Sequence, residues 1–157
     1  MTDKRNILFG VIIIAMVSLT IFIVATSETI IIAISDVNTT AGSQDVSVPI
    51  LLENNVTVYG IQLEISHSPD LIFKNISLTS RMDGAIIEAN DVDGNILIAS
   101  VLENGISSGN GTIFNIIFDI SPSANGTYSL NSTDTMGVDM DTLLYSVEFV
   151  PGNVILS

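Results

Sequence analysis

The sequence contains no cysteine, no tryptophan, a single histidine and only four basic residues against 17 acidic ones in 157. Without cysteine, both a disulfide framework and a thiolate metal site are excluded, so a folded domain must depend on its hydrophobic core. Setting aside Asp3, Lys4 and Arg5 leaves 16 acids against two bases, a net charge of −14. Such a field disfavours nucleic acid and anionic lipid headgroups as partners, although it could equally serve solubility in a salty medium.

An uninterrupted apolar run extends from Ile7 to Ala25 and contains neither a charge nor a proline. At a rise of about 1.5 Å per residue a helix of this length spans about 28 Å, close to the hydrocarbon core of a bilayer. Lys4 and Arg5 precede the run, which predicts a cytoplasmic N-terminus and an exported remainder. The predicted organisation is a cytoplasmic segment (1–6), a transmembrane helix or signal anchor (7–26) and one exported domain (28–157).

A cleaved signal peptide is the alternative interpretation of the N-terminus, because Ala25-Thr26-Ser27 resembles a small-x-small cleavage site. The run is longer than the usual hydrophobic region of about 7–15 residues, which favours a retained anchor. Both interpretations place the rest of the chain outside: at the cell membrane if the anchor is kept, secreted if it is cleaved.

Six N-x-S/T sequons are consistent with export, and none has an intervening proline. The alternative is a polar, Ser/Thr/Asn-rich β-protein surface, which generates such triplets without any modification. The candidate glycosylation sites are Asn38, Asn55, Asn75, Asn110, Asn125 and Asn131.

Short β-branched runs separated by Gly, Asn, Asp and Pro follow the apolar segment, with the spacing typical of a β-sandwich. Tyr59–Ser66 alternates, which places Tyr59, Ile61, Leu63 and Ile65 towards the core. Pro49 cannot donate to a ladder, so its strand should lie at an edge or carry a bulge there. Asp91–Gly94 predicts a tight hairpin. About nine such strands predict an all-β fold of two antiparallel sheets packed face to face. The predicted strands include Thr29–Asp36, Asp45–Glu53, Leu71–Leu78 and Thr127–Ser132.

Four stretches carry a resemblance to a known family. They are Ala41-Gly42 with Val46, Val48 and Pro49; Gly60–Pro69; Asn110–Phe114 with Ile116 and Phe118; and Gly152–Leu156. In this order and at these spacings they resemble the cohesins, modules that bind dockerin-bearing proteins. The resemblance implies a nine-stranded antiparallel jelly-roll β-sandwich related to carbohydrate-binding modules. One extra residue before Val46, and His67-Ser68 in place of the usual Tyr-Asp, depart from the family pattern.

A cohesin binds its dockerin through one flat sheet face, and the resemblance assigns that face here. In the hairpin strand, Ile98, Ser100 and Leu102 should point outward if Leu97, Ala99 and Val101 point inward. The alternative is an ordinary solvated sheet with scattered aliphatic residues. The candidate partner-binding residues are Gln62, Glu64, Ile98, Ser100, Leu102, Glu103, Met140 and Thr142.

No cofactor is predicted. Asp91–Asn95 and Asp139–Asp141 invite a calcium interpretation, but an EF-hand loop starting at Asp91 would need glycine at Ile96 and glutamate at Leu102. The resemblance implies that any calcium in the complex belongs to the dockerin. Direct polysaccharide binding is weakly supported, because tryptophan is absent and only Tyr128 and Tyr145 remain as stacking platforms.

Catalysis is not predicted either. Gly105–Gly109 matches G-x-S-x-G, but a nucleophile elbow requires a strand followed by a helix and a histidine later in the chain. Here a strand follows, and His67, interpreted as a turn residue, lies upstream. The sequence therefore predicts a single-pass, cell-surface, dockerin-binding module linked to polysaccharide catabolism, with a carbohydrate-binding domain or a structural surface-layer or pilin-like protein as alternatives.

Overall fold

The computed structural model describes residues 29–138 and 145–157, and these residues form eleven β-strands. The all-β prediction is confirmed, whereas the predicted number of nine strands is too low. The strands are β1 (Thr29–Ile34), β2 (Val37–Thr39), β3 (Val46–Asn54), β4 (Val58–Ser66), β5 (Leu71–Leu78), β6 (Ile86–Val92), β7 (Asn95–Ile106), β8 (Gly109–Ile120), β9 (Thr127–Val138), β10 (Ser146–Val150) and β11 (Gly152–Leu156).

The strands form a five-stranded sheet, β10-β1-β3-β8-β5, and a six-stranded sheet, β2-β11-β9-β4-β7-β6. The prediction of purely antiparallel sheets is wrong at two places, because β1 pairs with β10 and β11 pairs with β2 in parallel. Both parallel pairs join an early strand to a late one. The first strand predicted, Thr29–Asp36, ends at Ile34 because the chain then crosses from one sheet to the other and continues as β2.

The core lies between the two sheets and consists almost entirely of aliphatic and phenylalanine side chains. The alternation predicted for β4 is confirmed, since Ile61, Leu63 and Ile65 are buried. Tyr59 is only half-buried, because the pairing of β4 with β7 is irregular between Val58 and Gly60. Burial of each such side chain contributes about 1.5–3 kcal/mol, which is how a domain without disulfides is stabilised.

Pro49 lies within β3, which is an internal strand rather than an edge. The carbonyl oxygen of Pro49 accepts a hydrogen bond from the Ser35 amide (3.0 Å), just beyond the end of β1. The proline nitrogen faces the same side, so its missing N–H falls where the neighbouring strand has ended. An irregularity in the pairing with β8 follows at once, between Ile50 and Leu51. The predicted edge position is therefore wrong, and the predicted bulge lies one residue later.

Arg81 ties together one end of the sandwich from a 3₁₀ turn, Ser80–Met82. Its guanidinium donates to four acceptors at 2.7–3.1 Å: the carbonyl oxygens of Leu52, Gly111 and Ser107, and Oδ1 of the buried Asn54. The Asn54 amide in turn donates to the carbonyl oxygen of Ile106 (3.2 Å). This network joins the five-stranded sheet to the connection between β7 and β8.

The β6–β7 hairpin closes through Asp93 and Gly94, as predicted. Both residues adopt positive φ angles, 53° and 82°, the combination that a two-residue type I′ turn requires. The turn fixes which residues of β6 and β7 lie opposite each other, starting with Val92 and Asn95.

The predicted membrane segment, Ile7–Ala25, lies outside the described residues. Within the described ranges, no helix has the length and apolar character needed to cross a bilayer.

Candidate functional site

The side of the six-stranded sheet that points away from the core is the candidate site. We call the part of it formed by β9, β4, β7 and β6 the outer face. Directly paired residues of neighbouring strands lie on the same side of a sheet, so the register defines its side chains. One row across the outer face is Met136, Gln62, Ala99 and Glu88, and the next is Asp134, Glu64, Leu97 and Asn90.

Exposed aliphatic side chains concentrate on β6 and β7. Of the seven large hydrophobic residues that are exposed in the described part of the chain, four lie here: Ile86 (70% exposed), Val101 (55%), Val92 (48%) and Leu97 (42%). Ile86 and Val101 are direct cross-strand partners, and Gly60 of β4 lies opposite Val101 on its other side. Exposed apolar side chains that adjoin one another, as those of Ile86 and Val101 do, are typical of surfaces that bind other proteins.

Small residues leave two shallow depressions in the centre of the outer face. One, of about 210 Å³, is lined by Gln62, Glu64, Glu88, Leu97 and Ala99 among others. The second, of about 160 Å³, lies beside it around Gly60, Ala99 and Met136. Side chains projecting from a partner could enter both depressions.

The charged groups of the outer face are all acidic: Glu64, Glu88, Glu103 and Asp134. The two bases between residues 29 and 157 are used elsewhere. Lys74 lies 2.8 Å from Asp45 Oδ1 and 3.4 Å from Asp119 Oδ1, on the five-stranded sheet, and the hydrogen bond to Asp45 raises the pKa of Lys74. Arg81 is held in the network described above. The outer face therefore carries exposed aliphatic side chains on β6 and β7 with acidic groups between and beside them.

The expectation that Ile98, Ser100 and Leu102 point outward is wrong. Ile98 is 1% exposed and pairs with the buried Leu63, Leu102 is buried, and Ser100 is half-buried with its hydroxyl 3.4 Å from the Ile61 carbonyl oxygen. The pairing of β7 with β4 sets this orientation, because residues opposite core positions of β4 must themselves face the core. It is Leu97, Ala99 and Val101 that face solvent.

The other predicted residues have mixed outcomes. Gln62 and Glu103 are exposed and Glu64 is half-buried, and Gln62 and Glu64 point outward as expected. Met140 and Thr142 lie outside the described residues. Sequence reasoning missed Ile86, Val92 and Glu88. The pairing of β6 with β7 is the signal that finds them, since Ile86 lies opposite Val101 and Glu88 opposite Ala99.

His67 belongs to the turn after β4, as predicted, but its side chain is buried, at 3% exposure. Nδ1 lies 2.9 Å from the Ser68 carbonyl oxygen and is therefore the protonated nitrogen there. Nε2 lies 3.2 Å from Asp91 Oδ2, within ion-pair distance of a protonated ring although not aligned for a hydrogen bond. The ring also packs against Phe118, at 5.8 Å between centroids. His67 thus fastens the end of β6 to the core.

The structure explains two motifs that resemble a catalytic site and a metal site. The Gly105–Gly109 segment connects β7 to β8, two strands of different sheets, so the strand-to-helix context of a nucleophile elbow does not occur there. Asp93-Gly94 is the hairpin turn itself. Within residues 29–138 and 145–157, no three His, Asp or Glu side chains are grouped so that they could hold a metal ion. Asp139–Asp141 lies outside these residues.

Comparison by sequence identifies no relative, since no protein-family model and no curated protein match the chain. Comparison by structure is informative. A non-cellulosomal cohesin from the archaeon Archaeoglobus fulgidus has a TM-score of 0.73 and 21% identity, covering 82% of this chain and 91% of the other. The cohesin in an OlpA cohesin–dockerin complex from Clostridium thermocellum also has a TM-score of 0.73, with 19% identity and coverage of 82% and 99%.

A third similar structure is the type III cohesin of ScaE, a cell-surface anchoring scaffoldin of Ruminococcus flavefaciens. It has a TM-score of 0.66 and 12% identity, covering 88% of this chain and 93% of the other. The described residues thus have the cohesin fold, and the resemblance found in the sequence is confirmed at the level of structure.

Proposed function

We propose that this protein is a cohesin-like binding module that holds a dockerin-bearing partner on its outer face. The observation that carries the proposal is the concentration of Ile86, Val92, Leu97 and Val101 on two adjacent strands of one sheet. Exposed apolar side chains together with polar ones are the usual composition of a protein-binding surface. The cohesin fold supports a dockerin as the partner, because the similar OlpA module forms a complex with one.

The charges of the outer face define the complementary surface. Glu64, Glu88, Glu103 and Asp134 lie between and beside the aliphatic residues without a base among them. A partner should therefore present lysine or arginine around an apolar patch, since complementary charges guide association and select the correct partner. Calcium, where binding requires it, belongs to the dockerin.

We further propose that the module is anchored in the cell membrane through Ile7–Ala25 and faces outward. Few residues separate the apolar run from β1, so a captured partner would be held close to the lipid surface. A captured enzyme acting on polysaccharide fits such a docking point, in keeping with the scaffoldin origin of some of the similar modules.

Direct carbohydrate binding is the second candidate, and the exposure of the aromatic residues argues against it. Every aromatic ring within the described residues is buried or half-buried. The hydroxyls of Tyr128 and Tyr145 are held by Asp70 (2.8 Å) and by the Thr57 carbonyl oxygen (3.0 Å). These hydrogen bonds hold the two rings against the protein, so the rings do not project from the surface as platforms for a sugar. A structural envelope role, the third candidate, has no specific observation in its favour.

The decisive experiment is capture of calcium-loaded dockerin modules from a panel by the immobilised protein, repeated with a chelator and with insoluble cellulose. We expect at least one dockerin to be retained, and retention to be lost on chelation because apo-dockerin loses its folded surface. Retention on cellulose without any protein partner would instead support the carbohydrate-binding alternative. If the protein retained no dockerin and was not retained on cellulose, both candidate functions would be contradicted.

A pair of double variants tests the location of the binding surface. Replacing Ile86 and Val101 by serine removes the most exposed aliphatic side chains of the outer face. Loss of both side chains should weaken binding by about 1.4 kcal/mol or more in total, so capture should fall at least about tenfold. The matched control replaces Ile72 and Leu78, which are exposed on β5 of the other sheet, and should bind normally. Equal capture by the two double variants would refute the outer face as the site.

A further inference from the structure

All six sequon asparagines are exposed in the folded protein. Asn55 and Asn125 lie in connections between strands, Asn38 lies on the edge strand β2, and Asn75 on the edge strand β5. The amide nitrogens of Asn110 and Asn125 make one long hydrogen bond each, of 3.3 and 3.4 Å, on the surface. The attachment atom, Nδ2, is therefore accessible or readily released at these positions.

The asparagines that are not in sequons behave differently. The described residues contain six of them, and four are withdrawn from solvent: Asn54 is buried, whereas Asn95, Asn115 and Asn153 are half-buried. The Nδ2 atoms of Asn54 and Asn153 are bound to oxygen atoms within the fold. All six sequon asparagines are thus exposed, compared with two of the other six, and exposure is what attachment of a glycan requires.

The sequons are also distributed unevenly around the sandwich. None lies on β4, β6 or β7, the strands that carry the exposed aliphatic residues of the outer face. Asparagine itself is not missing from these strands, since Asn90, Asn95 and Asn104 lie on them without a hydroxyl residue two positions later. Asn131 of β9, opposite Ser66, is the sequon that borders this region. The aliphatic surface is thereby left clear of potential sugar.

We propose that the exposed sequons carry N-linked oligosaccharides and that these glycans coat the domain while leaving β4, β6 and β7 bare. Each amide Nδ2 would form a bond to the anomeric carbon of a lipid-linked oligosaccharide. The bond from that carbon to the lipid phosphate breaks, the lipid phosphate leaves, and the amide nitrogen loses a proton. The proposal rests on the export and the docking surface of the proposed function, and it adds which surface is modified.

Peptide mapping by mass spectrometry of the full chain, recovered from the cells that make it, tests the modification directly. We expect glycan mass on peptides containing Asn38, Asn55, Asn75, Asn110, Asn125 and Asn131, and none on Asn90 or Asn104. The proposal would be overturned if none of the sequons carried sugar. This readout needs no dockerin, so its failure is distinct from failure of the proposed docking function.

Thr127 offers a matched pair of variants for one exposed sequon, Asn125-Gly126-Thr127. Thr127→Ser keeps the sequon and should retain the glycan on Asn125, whereas Thr127→Ala removes the sequon and should lose it. Both substitutions are at an exposed position and leave the asparagine in place. Equal masses of the Asn125 peptide from the two variants would contradict N-linked attachment.

Val92→Thr tests whether the bare strands matter, because it places a hydroxyl residue two positions after Asn90 and so creates a sequon on the exposed strand β6. Val92 is exposed, and threonine has nearly the same shape, so the fold should be kept. Relative to the same variant without sugar, the added glycan should reduce dockerin capture at least about tenfold, because a bulky sugar would cover the exposed aliphatic residues of β6 and β7.

Two controls make this variant decisive. Val92→Ala creates no sequon, and Val92→Thr produced in cells without N-glycosylation carries no sugar, so both should show only the smaller loss of capture that follows from truncating one aliphatic side chain of the outer face. A modified Asn90 with unimpaired capture would overturn the idea that these strands are kept bare for binding. If the Val92→Thr protein carried a glycan on Asn125 but none on Asn90, exposure of the asparagine would not be what determines modification.

Discussion

Leu97 and Ile98 are neighbours in the chain but lie on opposite sides of β7, and their contrast is testable. Ile98→Ala should destabilise the protein by about 2–5 kcal/mol, because it leaves a cavity between the sheets. Leu97→Ala should change the free energy of unfolding by less than about 0.5 kcal/mol, since a solvent-exposed surface position contributes little. Urea denaturation of the two variants measures both values. A larger effect for Leu97 would mean that the register of β7 is shifted by one residue.

The orientation of β7 also marks the limit of prediction from single residues. Both alternating sets of this strand are apolar, with Ile96, Ile98 and Leu102 in one and Leu97, Ala99 and Val101 in the other. Alternation along a strand identifies the solvent side only when one of the two sets of side chains is polar, and here neither set is. The missing information is the partner strand, because Ile98 lies opposite Leu63, whose own neighbours Gln62 and Glu64 are polar. In β4, the polar residues Gln62 and Glu64 identified the solvent side, so the prediction of which side chains face the core was correct.

At the scale of elements, the β6–β7 hairpin depends on a glycine. Gly94 has a φ of 82°, and a Cβ there would meet the His67 carbonyl oxygen at an ordinary 3.6 Å, so the cost of a side chain is conformational rather than steric. Gly94→Ala should destabilise the protein by about 1–2 kcal/mol. Asp93→Asn should be nearly neutral, because asparagine also accepts positive φ in a type I′ turn. Thermal unfolding of the two variants checks this, and equal stability would argue against the turn type.

Strands with clear alternation were well predicted, and the others were not. Leu71–Leu78 has the predicted bounds, and β3 and β4 begin or end within one residue of them. In contrast, β9 extends from Thr127 to Val138, well beyond the predicted end at Ser132. Its polar second half is a strand because it pairs with β4, a contact between distant parts of the chain that local propensity does not encode.

At the scale of the whole molecule, the net charge of −14 beyond residue 27 should control the rate of binding. A basic partner is attracted from a distance, and salt screens this attraction. The association rate constant for a captured dockerin should fall about tenfold between about 50 and 500 mM salt, with a smaller change in dissociation. Stopped-flow or surface-binding kinetics at several salt concentrations measure both constants. An association rate that is insensitive to salt would contradict the acidic groups as the guiding feature.

The position of β1 has a mechanical consequence. This strand begins at Thr29 and is held on both sides, antiparallel to β3 and parallel to β10. Its hydrogen bonds to β3 run across the direction of the chain. Tension entering at Thr29 therefore loads these bonds together in shear, instead of peeling them apart one by one. A domain tethered at this end and pulled by cargo on its opposite sheet would resist extraction through the collective strength of one internal strand.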